Sequence, residues 1–442
     1  MNPVHLKRYK DIIAILASDF TDEVVAFHAH NLEVATISEV AFSEMTNTTV
    51  LTGENVILST TSDITARQEL DDWNNHQSTE TKSGEIKFGI RSLTINVTQI
   101  CNLKCHYCAA GGDGTYGDPV TQISVEKTFP QLKFFISQLQ PGRKFNISFV
   151  GGEPLLYPEG INAICEYVIN LKNIYDFNPV FSVVTNGTLI NDRVLEILKN
   201  NQIHVTVSID GPAEINDIQR SSKNGLSSTS LTITGLNKLN TLKSDLPSLT
   251  ISAILNDFHQ DLIAAYHFFR AFNPTLIELT LAYSQEKPEL QKKYIESMNQ
   301  IAQIAWANNK ELGLRQIKTF DHYFTLLDHQ QKVKNHCGAG KSYLMVDAKN
   351  QLYTCPWTVN DPEEVVGVGA DLDYHKLEKY QKPLISLNNC QTCWAQNLCG
   401  GGCMYIHKTH TGSKHSKDPL FCERTRSLIL TALLYYKLAR DL

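Results

Sequence analysis

Two periodicities divide this chain. From about Glu85 to Leu314, short runs of apolar and polar residues in alternation take turns with longer runs in which apolar residues recur every three or four positions. The short runs predict strands over Ser92 to Val97, Asn146 to Val150, Val180 to Val184, His204 to Ile209, Leu249 to Leu255 and Leu276 to Ala282. In the first of them Leu93, Ile95 and Val97 share one face. The longer runs predict helices over Val125 to Gln138, Gly160 to Lys172 and Arg193 to Asn200. Six strands with helices between them imply an α/β fold, a parallel sheet curved into a partial barrel. In such sheets reactive groups sit on loops that follow the C-terminal ends of the strands.

The flanks read differently. Before residue 85, Val24 to His28 and Leu32 to Ile37 predict two strands around a turn at Asn31, with helices over Ser38 to Met45 and Ile64 to Asn74. Asn75 to Gly84 is polar and reads as a linker. His28 and His30 alternate along one strand and read as solvent-facing. After Arg315 the alternation stops, cysteine-rich loops take over, and Leu428 to Leu438 predicts a closing helix. Three segments result: 1–85, 86–315 and 316–442.

Composition narrows the function. Of 442 residues 42% are apolar and 19% charged, enough to build a core. The net charge of -6 argues against binding to nucleic acid. No run approaches eighteen apolar residues, so no membrane span is expected. The apolar run Ile12 to Ala17 is too short for a secretory signal, which implies a cytoplasmic chain. In a reducing compartment 11 cysteines imply metal sites rather than disulfides. Cys165 is the exception. It lies on the apolar stripe Ile161, Ile164, Cys165, Val168, Ile169 and reads as a buried structural thiol.

Cys101, Cys105 and Cys108 form a C-x3-C-x2-C loop directly after the first predicted barrel strand. Three close thiolates can bind three irons of a cubane cluster and leave the fourth open to another ligand. A zinc loop would need a fourth donor, and only His106 is at hand. With Tyr107 before the last cysteine, this region resembles the radical S-adenosylmethionine (SAM) enzymes over about residues 90–285. The resemblance implies that the open iron chelates SAM. It also implies that Gly151, Gly152, Glu153 and Pro154 form the turn that binds the SAM amino group. Asn186, Ser208 and Asp210, after the next two strands, are implied as further SAM contacts, and Arg220 as a partner of the SAM carboxylate.

Cys390, Cys393, Cys399, Cys403 and Cys422, with Cys337 and Cys355 upstream, resemble the SPASM extension of peptide- and protein-modifying radical SAM enzymes. A zinc ribbon would leave three of the seven unexplained. The resemblance implies one auxiliary cluster on Cys390, Cys393, Cys399 and Cys422, and a second on Cys337, Cys355 and Cys403. Three [4Fe–4S] clusters in all are thus implied. The second auxiliary set is one ligand short, so its fourth corner is open to a substrate thiolate or to a neighbour such as His336. Asn350 stands where the family has Gly, and Asn tolerates the left-handed backbone of that turn.

The first 85 residues resemble the winged-helix-like leader-peptide elements of ribosomal-peptide maturases. The glycine-rich stretch Gly111 to Gly117 resembles maturases that form thioethers. The implied function is SAM cleavage to a 5'-deoxyadenosyl radical and crosslinking of a ribosomally made precursor peptide, first a Cys thioether. The alternatives are a C–C cyclophane, sulfatase-type maturation and a non-catalytic iron–sulfur electron carrier. The implied partners are the precursor peptide and a reductase such as flavodoxin or ferredoxin.

Overall fold

A computed structural model describes residues 5–17, 21, 23–48, 63–76, 89–108, 121–257, 261–282 and 287–442. The glycine-rich stretch after Cys108 and most of the polar linker lie outside the described residues. The chain forms two compact units that cut across the linear segments. One comprises 1–85, 286–337 and 382–442; the other comprises 86–285 and 338–381.

The first unit opens with an antiparallel sheet of order β4-β3-β2-β1-β5. Its strands are β1 (His5–Tyr9), β2 (Ile12–Leu16), β3 (Val24–His28), β4 (Glu33–Ile37) and β5 (Thr46–Asn47). Helices α1 (Glu39–Glu44) and α2 (Ile64–Asn75) accompany it, each started by a side-chain cap, Ser38 or Asp63. The sequence reading found β3, β4 and both helices but not β1 and β2. Ile12 to Ile15 is buried on both faces, so its strand has no alternation to betray it. His28 is also corrected. It is buried, with Nε2 3.3 Å from the Asn74 carbonyl and Nδ1 accepting from the Asn31 N–H, and Trp73 packs against its ring.

The second unit holds the partial barrel. Its parallel strands are β6 (Ser92–Thr98), β8 (Arg143–Gly151), β9 (Phe177–Thr185), β10 (Ile203–Ser208), β12 (Leu249–Leu255) and β13 (Leu276–Leu281), hydrogen-bonded in that order. A short β7 (Leu103–Cys105) follows β6. Helices α3 (Val125–Ser137), α4 (Pro158–Leu171) and α5 (Asp192–Asn200) follow β7, β8 and β9. Beyond β10 come α6 (Ala213–Gln219), β11 (Arg220–Ser222) and α7 (Ser228–Thr241), and α8 (Leu262–Arg270) links β12 to β13. The barrel strands fall where alternation predicts them, because their two faces meet different environments. Residues such as Ile95, Phe149, Val183, Val207 and Ile251 are buried on one face, each worth about 1.5–3 kcal/mol. The other face carries Ser148, Ser182, Thr206, Ser208 and Ser252, only partly buried. A parallel sheet packed on both sides would be apolar throughout. Cys165 is fully buried on α4, as its stripe predicts.

The alternation does not simply stop after Arg315. Helices α9 (Pro288–Arg315) and α10 (Lys318–Asp328) belong to the first unit. In the second unit β14 (Tyr343–Val346) pairs in parallel with β6, and β15 (Gln351–Tyr353), β16 (Val365–Val368) and β17 (Asp371–Leu372) extend the sheet to ten strands. These strands are two to four residues long, too short for a periodicity, and the free edge of β6 supplies their register. Asn350 takes φ 62° in the turn between β14 and β15, and its Nδ2 donates to Thr128. The C-terminal helix (Pro419–Arg440) packs on α9 and α10. Among the described residues no helix is long and apolar enough to cross a membrane.

Candidate active site

Loops at the C-terminal ends of β6, β8 and β9 interlock through backbone and buried polar groups. The β6 loop carries Cys101, Cys105 and Cys108. Its first part is tied to the turn after β8: Gly152 N–H donates to Thr98 O and Glu153 N–H to Ile100 O, both at 2.8 Å. This approach requires glycine. A Cβ on Gly151 would lie 2.3 Å from Thr98 O, and one on Gly152 would lie 2.3 Å from Ile100 O. The loop's second part, β7, pairs antiparallel with β11, which sets Cys105 opposite Arg220.

The buried Glu153 carboxylate joins the second loop to the third. It accepts from Thr185 Oγ1 at 2.6 Å, Asn186 N at 2.7 Å and Leu155 N at 3.0 Å. Burial raises its pKa, against those hydrogen bonds. Asn186 Nδ2 donates to Asn102 Oδ1, and Asn102 Nδ2 donates to Thr188 Oγ1. Pro154 opens a short 3-10 turn beside Glu153.

Ser208 ends β10 on its half-open polar face, while Asp210, just after the strand, is fully buried. The Asp210 carboxylate accepts from Tyr107 Oη at 2.6 Å, Arg220 Nε at 3.1 Å and the Ile254 N–H at 3.1 Å. The guanidinium assigned by resemblance to a SAM carboxylate is thus bonded to Asp210, and it stands 5.3 Å over the Tyr107 ring. Burial alone would lower the Arg220 pKa; Asp210 more than offsets it. Burial holds the Tyr107 hydroxyl well above its usual range.

Burial also pushes the Cys101 thiol up to about 11 and Cys105 to about 12. The three thiols lie within electrostatic reach of one another. Among the described residues no three His, Cys, Asp or Glu side chains converge on a single ion.

Residues 95–268 match the family model of the radical SAM superfamily. The chain carries a radical SAM domain. Among curated proteins it is similar to the cysteine-type anaerobic sulfatase-maturating enzyme of Clostridium novyi, with 28% identity over 355 residues, 74% of this chain and 91% of the relative. Among solved structures it is similar to native anSMEcpe with bound AdoMet and Kp18Cys peptide. The TM-score is 0.66 at 20% identity, over 79% of this chain and 99% of that one. It is also similar to Streptococcus suis SuiB bound to precursor peptide SuiA, with TM-score 0.51 at 14% identity, over 94% and 99% of the two chains. The radical SAM fold expected from the sequence is therefore present, consistent with a radical SAM enzyme.

Outside the radical SAM domain, the C-terminal cysteines separate into groups. Cys390, Cys393, Cys399 and Cys422 line one cavity of about 290 Å3 in the first unit. Four thiols around such a space fit the donor set of an iron–sulfur cluster. Burial pushes Cys390 to about 11 and Cys399 to about 12. Gly400, Gly401 and Gly402, between Cys399 and Cys403, have φ of 72°, 93° and 82°. Side chains rarely tolerate three consecutive left-handed residues, so the glycines let the chain turn sharply between two cysteines. Cys403 lies within electrostatic reach of Cys337 in the same unit, while Cys355 belongs to the other unit. His336 stands with Nδ1 3.1 Å from Cys399 O, a bond only an Nδ1–H can donate.

The sequence reading missed Asn102 and the glycine run, and it took Thr185 only as part of the Thr185 to Thr188 motif. The run was legible as Gly-Gly-Gly between two candidate ligands. Asn102 carries no local signal, because its bonds join loops distant in sequence.

Proposed function

We propose that this protein is a radical SAM peptide maturase that removes a hydrogen atom from a carbon of a ribosomally made precursor and joins a peptide cysteine to that carbon as a thioether, the thiol proton leaving to solvent and the surplus electron to an auxiliary iron–sulfur cluster. The supporting observation is a three-thiol loop in a radical SAM barrel combined, in one chain, with a cavity lined by four further thiols. When bound, the iron–sulfur group and SAM supply the primary radical by reductive cleavage. Cys101, Cys105 and Cys108 would hold that group. The turn at Gly151 to Pro154, with Asn186 and Ser208, would border the cofactor. Tyr107, Asp210 and Arg220 would fix the cysteine loop through their buried network. The hydroxyls of the inner sheet face, Ser148, Ser182 and Thr206, offer hydrogen bonds to a peptide backbone.

Cys390, Cys393, Cys399 and Cys422 would hold one auxiliary cluster, and Cys337, Cys355 and Cys403 would provide for a second. The N-terminal sheet would receive a leader peptide at an edge strand. A low-potential flavodoxin or ferredoxin would be the electron donor. The likeness to a structure with a bound precursor peptide supports a peptide substrate.

Mass spectrometry tests this. The enzyme is co-expressed under low oxygen with a short peptide encoded beside its gene, and the product is alkylated. A peptide lighter by two hydrogens with one thiol protected is expected. Loss of two hydrogens with every thiol still alkylated would replace the thioether by a C–C crosslink.

The curated relative at 28% identity favours a second reading, oxidation of a cysteine on a sulfatase. A sulfatase-derived peptide that loses its sulfur on incubation would establish it.

A further inference from the structure

The four-cysteine cavity has a charge environment that the ligand reading does not explain. Two cations line it, Lys417 and Arg426, and no carboxylate does among the described residues. Arg426 is buried, with Nη1 4.0 Å from Cys393 Sγ. Lys417 donates to Asn389 O at 3.0 Å, which holds its ammonium within electrostatic reach of Cys390 and Cys422. Asp418 accepts from the Leu420 and Phe421 N–H groups at the start of the C-terminal helix and is the acid within electrostatic reach of Cys422.

A third cation arrives from the opposite end of the chain. Arg8 on β1 is buried and donates from Nη1 to Thr392 O at 2.8 Å, between Cys390 and Cys393, while its Nε donates to Lys10 O. This brings its guanidinium within electrostatic reach of both Asp11 and Cys393. The same sheet is fastened to the same loop twice more. Asn397 donates to Ala29 O at 2.9 Å, and Phe27 meets the buried Trp394 edge-on at 6.4 Å.

The first cysteine loop is the contrast. The cation facing Cys105 is Arg220, and the Nε–Nη2 edge of its guanidinium donates to both carboxylate oxygens of Asp210. Near Cys105 the cation is bonded to Asp210; at the cavity Lys417 and Arg426 belong to the lining, and Arg8 reaches the loop between Cys390 and Cys393.

We infer that Arg8, Lys417 and Arg426 form a cationic collar that favours the reduced state of the iron–sulfur group held by Cys390, Cys393, Cys399 and Cys422, and that the N-terminal sheet is thereby part of this redox site. The inference rests on the reading that those four cysteines are cluster ligands. One-electron reduction adds a negative charge to a group that is already negative. Burial opposes that charge, and fixed cations close by offset the opposition more strongly than they would in water. The three residues therefore act by positioning charge and make no bond to iron.

The test is an anaerobic redox titration with dithionite, followed by electron paramagnetic resonance. It uses full-length reconstituted protein carrying C101A, C105A and C108A, so that only C-terminal iron responds. Arg426→Gln should lower the reduction equilibrium of one component by about tenfold, about 59 mV for a one-electron couple. Arg8→Gln should shift it in the same direction, and Arg426→Lys should stay near the parent. Unchanged potentials in both glutamine variants, with iron retained, would overturn the collar. If Arg426→Gln loses its iron, Arg8→Gln decides: a negative shift supports the collar and no shift ends it. A parent protein that binds no C-terminal iron would refute the ligand reading instead, and the collar with it.

Discussion

The two cysteine sites solve opposite problems. Around Cys101, Cys105 and Cys108 the charges are paired among themselves. Asp210 faces Arg220 and Tyr107, and Glu153 is wrapped in hydrogen bonds from the neighbouring loop. Around Cys390, Cys393, Cys399 and Cys422 the cations face the thiols. One site uses its polar groups to hold three loops in register; the other turns them toward its thiols. A site with three thiols has an open position to aim, so its scaffold must be rigid. A site with four thiols is closed, and what remains to adjust is its electron affinity.

The largest expected break in this comparison is chemical. Replacing Cys101, Cys105 and Cys108 by Ala should reduce SAM cleavage to background while iron analysis still finds the C-terminal clusters. Cleavage that survives the triple change would refute the assignment of the reactive loop.

A smaller effect concerns stability. Asp210→Asn leaves the buried Arg220 without its counter-charge. Urea unfolding should show a loss of about 3–5 kcal/mol, the usual cost of breaking a buried pair from one side. The exposed pair Arg193–Glu159 is the control, and Arg193→Ala should leave the midpoint unchanged. If the two variants unfold alike, the Asp210 network is not what holds the loop.

The smallest effect is on thiol reactivity in iron-free protein. With pKa values raised by burial to about 11 and about 12, Cys101 and Cys105 are thiols at neutral pH. Their alkylation should speed up about tenfold per pH unit from pH 7 to pH 10 without levelling off. Peptide mapping against the exposed Cys337 would measure it. A plateau below pH 9 would mean the loop is open to water.

Legibility followed the range of the forces involved. The barrel strands were readable because each must present an apolar face to helices and a polar face elsewhere, and side-chain period does the rest. The first cysteine loop was readable because its three thiols and the glycine turn beside them are local patterns. β14 to β17 were not, since their pairing depends on an edge that β6 leaves free nearly 250 residues earlier. Nor was the partner of Arg220. Its spacing from the barrel strands suggested a ligand contact, but its guanidinium meets Asp210 because β11 pairs with β7.

By itself the sequence determined the α/β alternation, the cysteine inventory, the turn that can approach the first loop, and hence the chemistry available. Those properties are periodicity, residue type and short spacing, which do not depend on how distant segments meet. Tertiary structure decided which charged groups meet which thiols. Arg8 and Arg426 both come within reach of Cys393 only because β1 and the C-terminal helix belong to one unit. Electrostatic energy depends on separation in space and on burial, and neither can be read from distance along the chain.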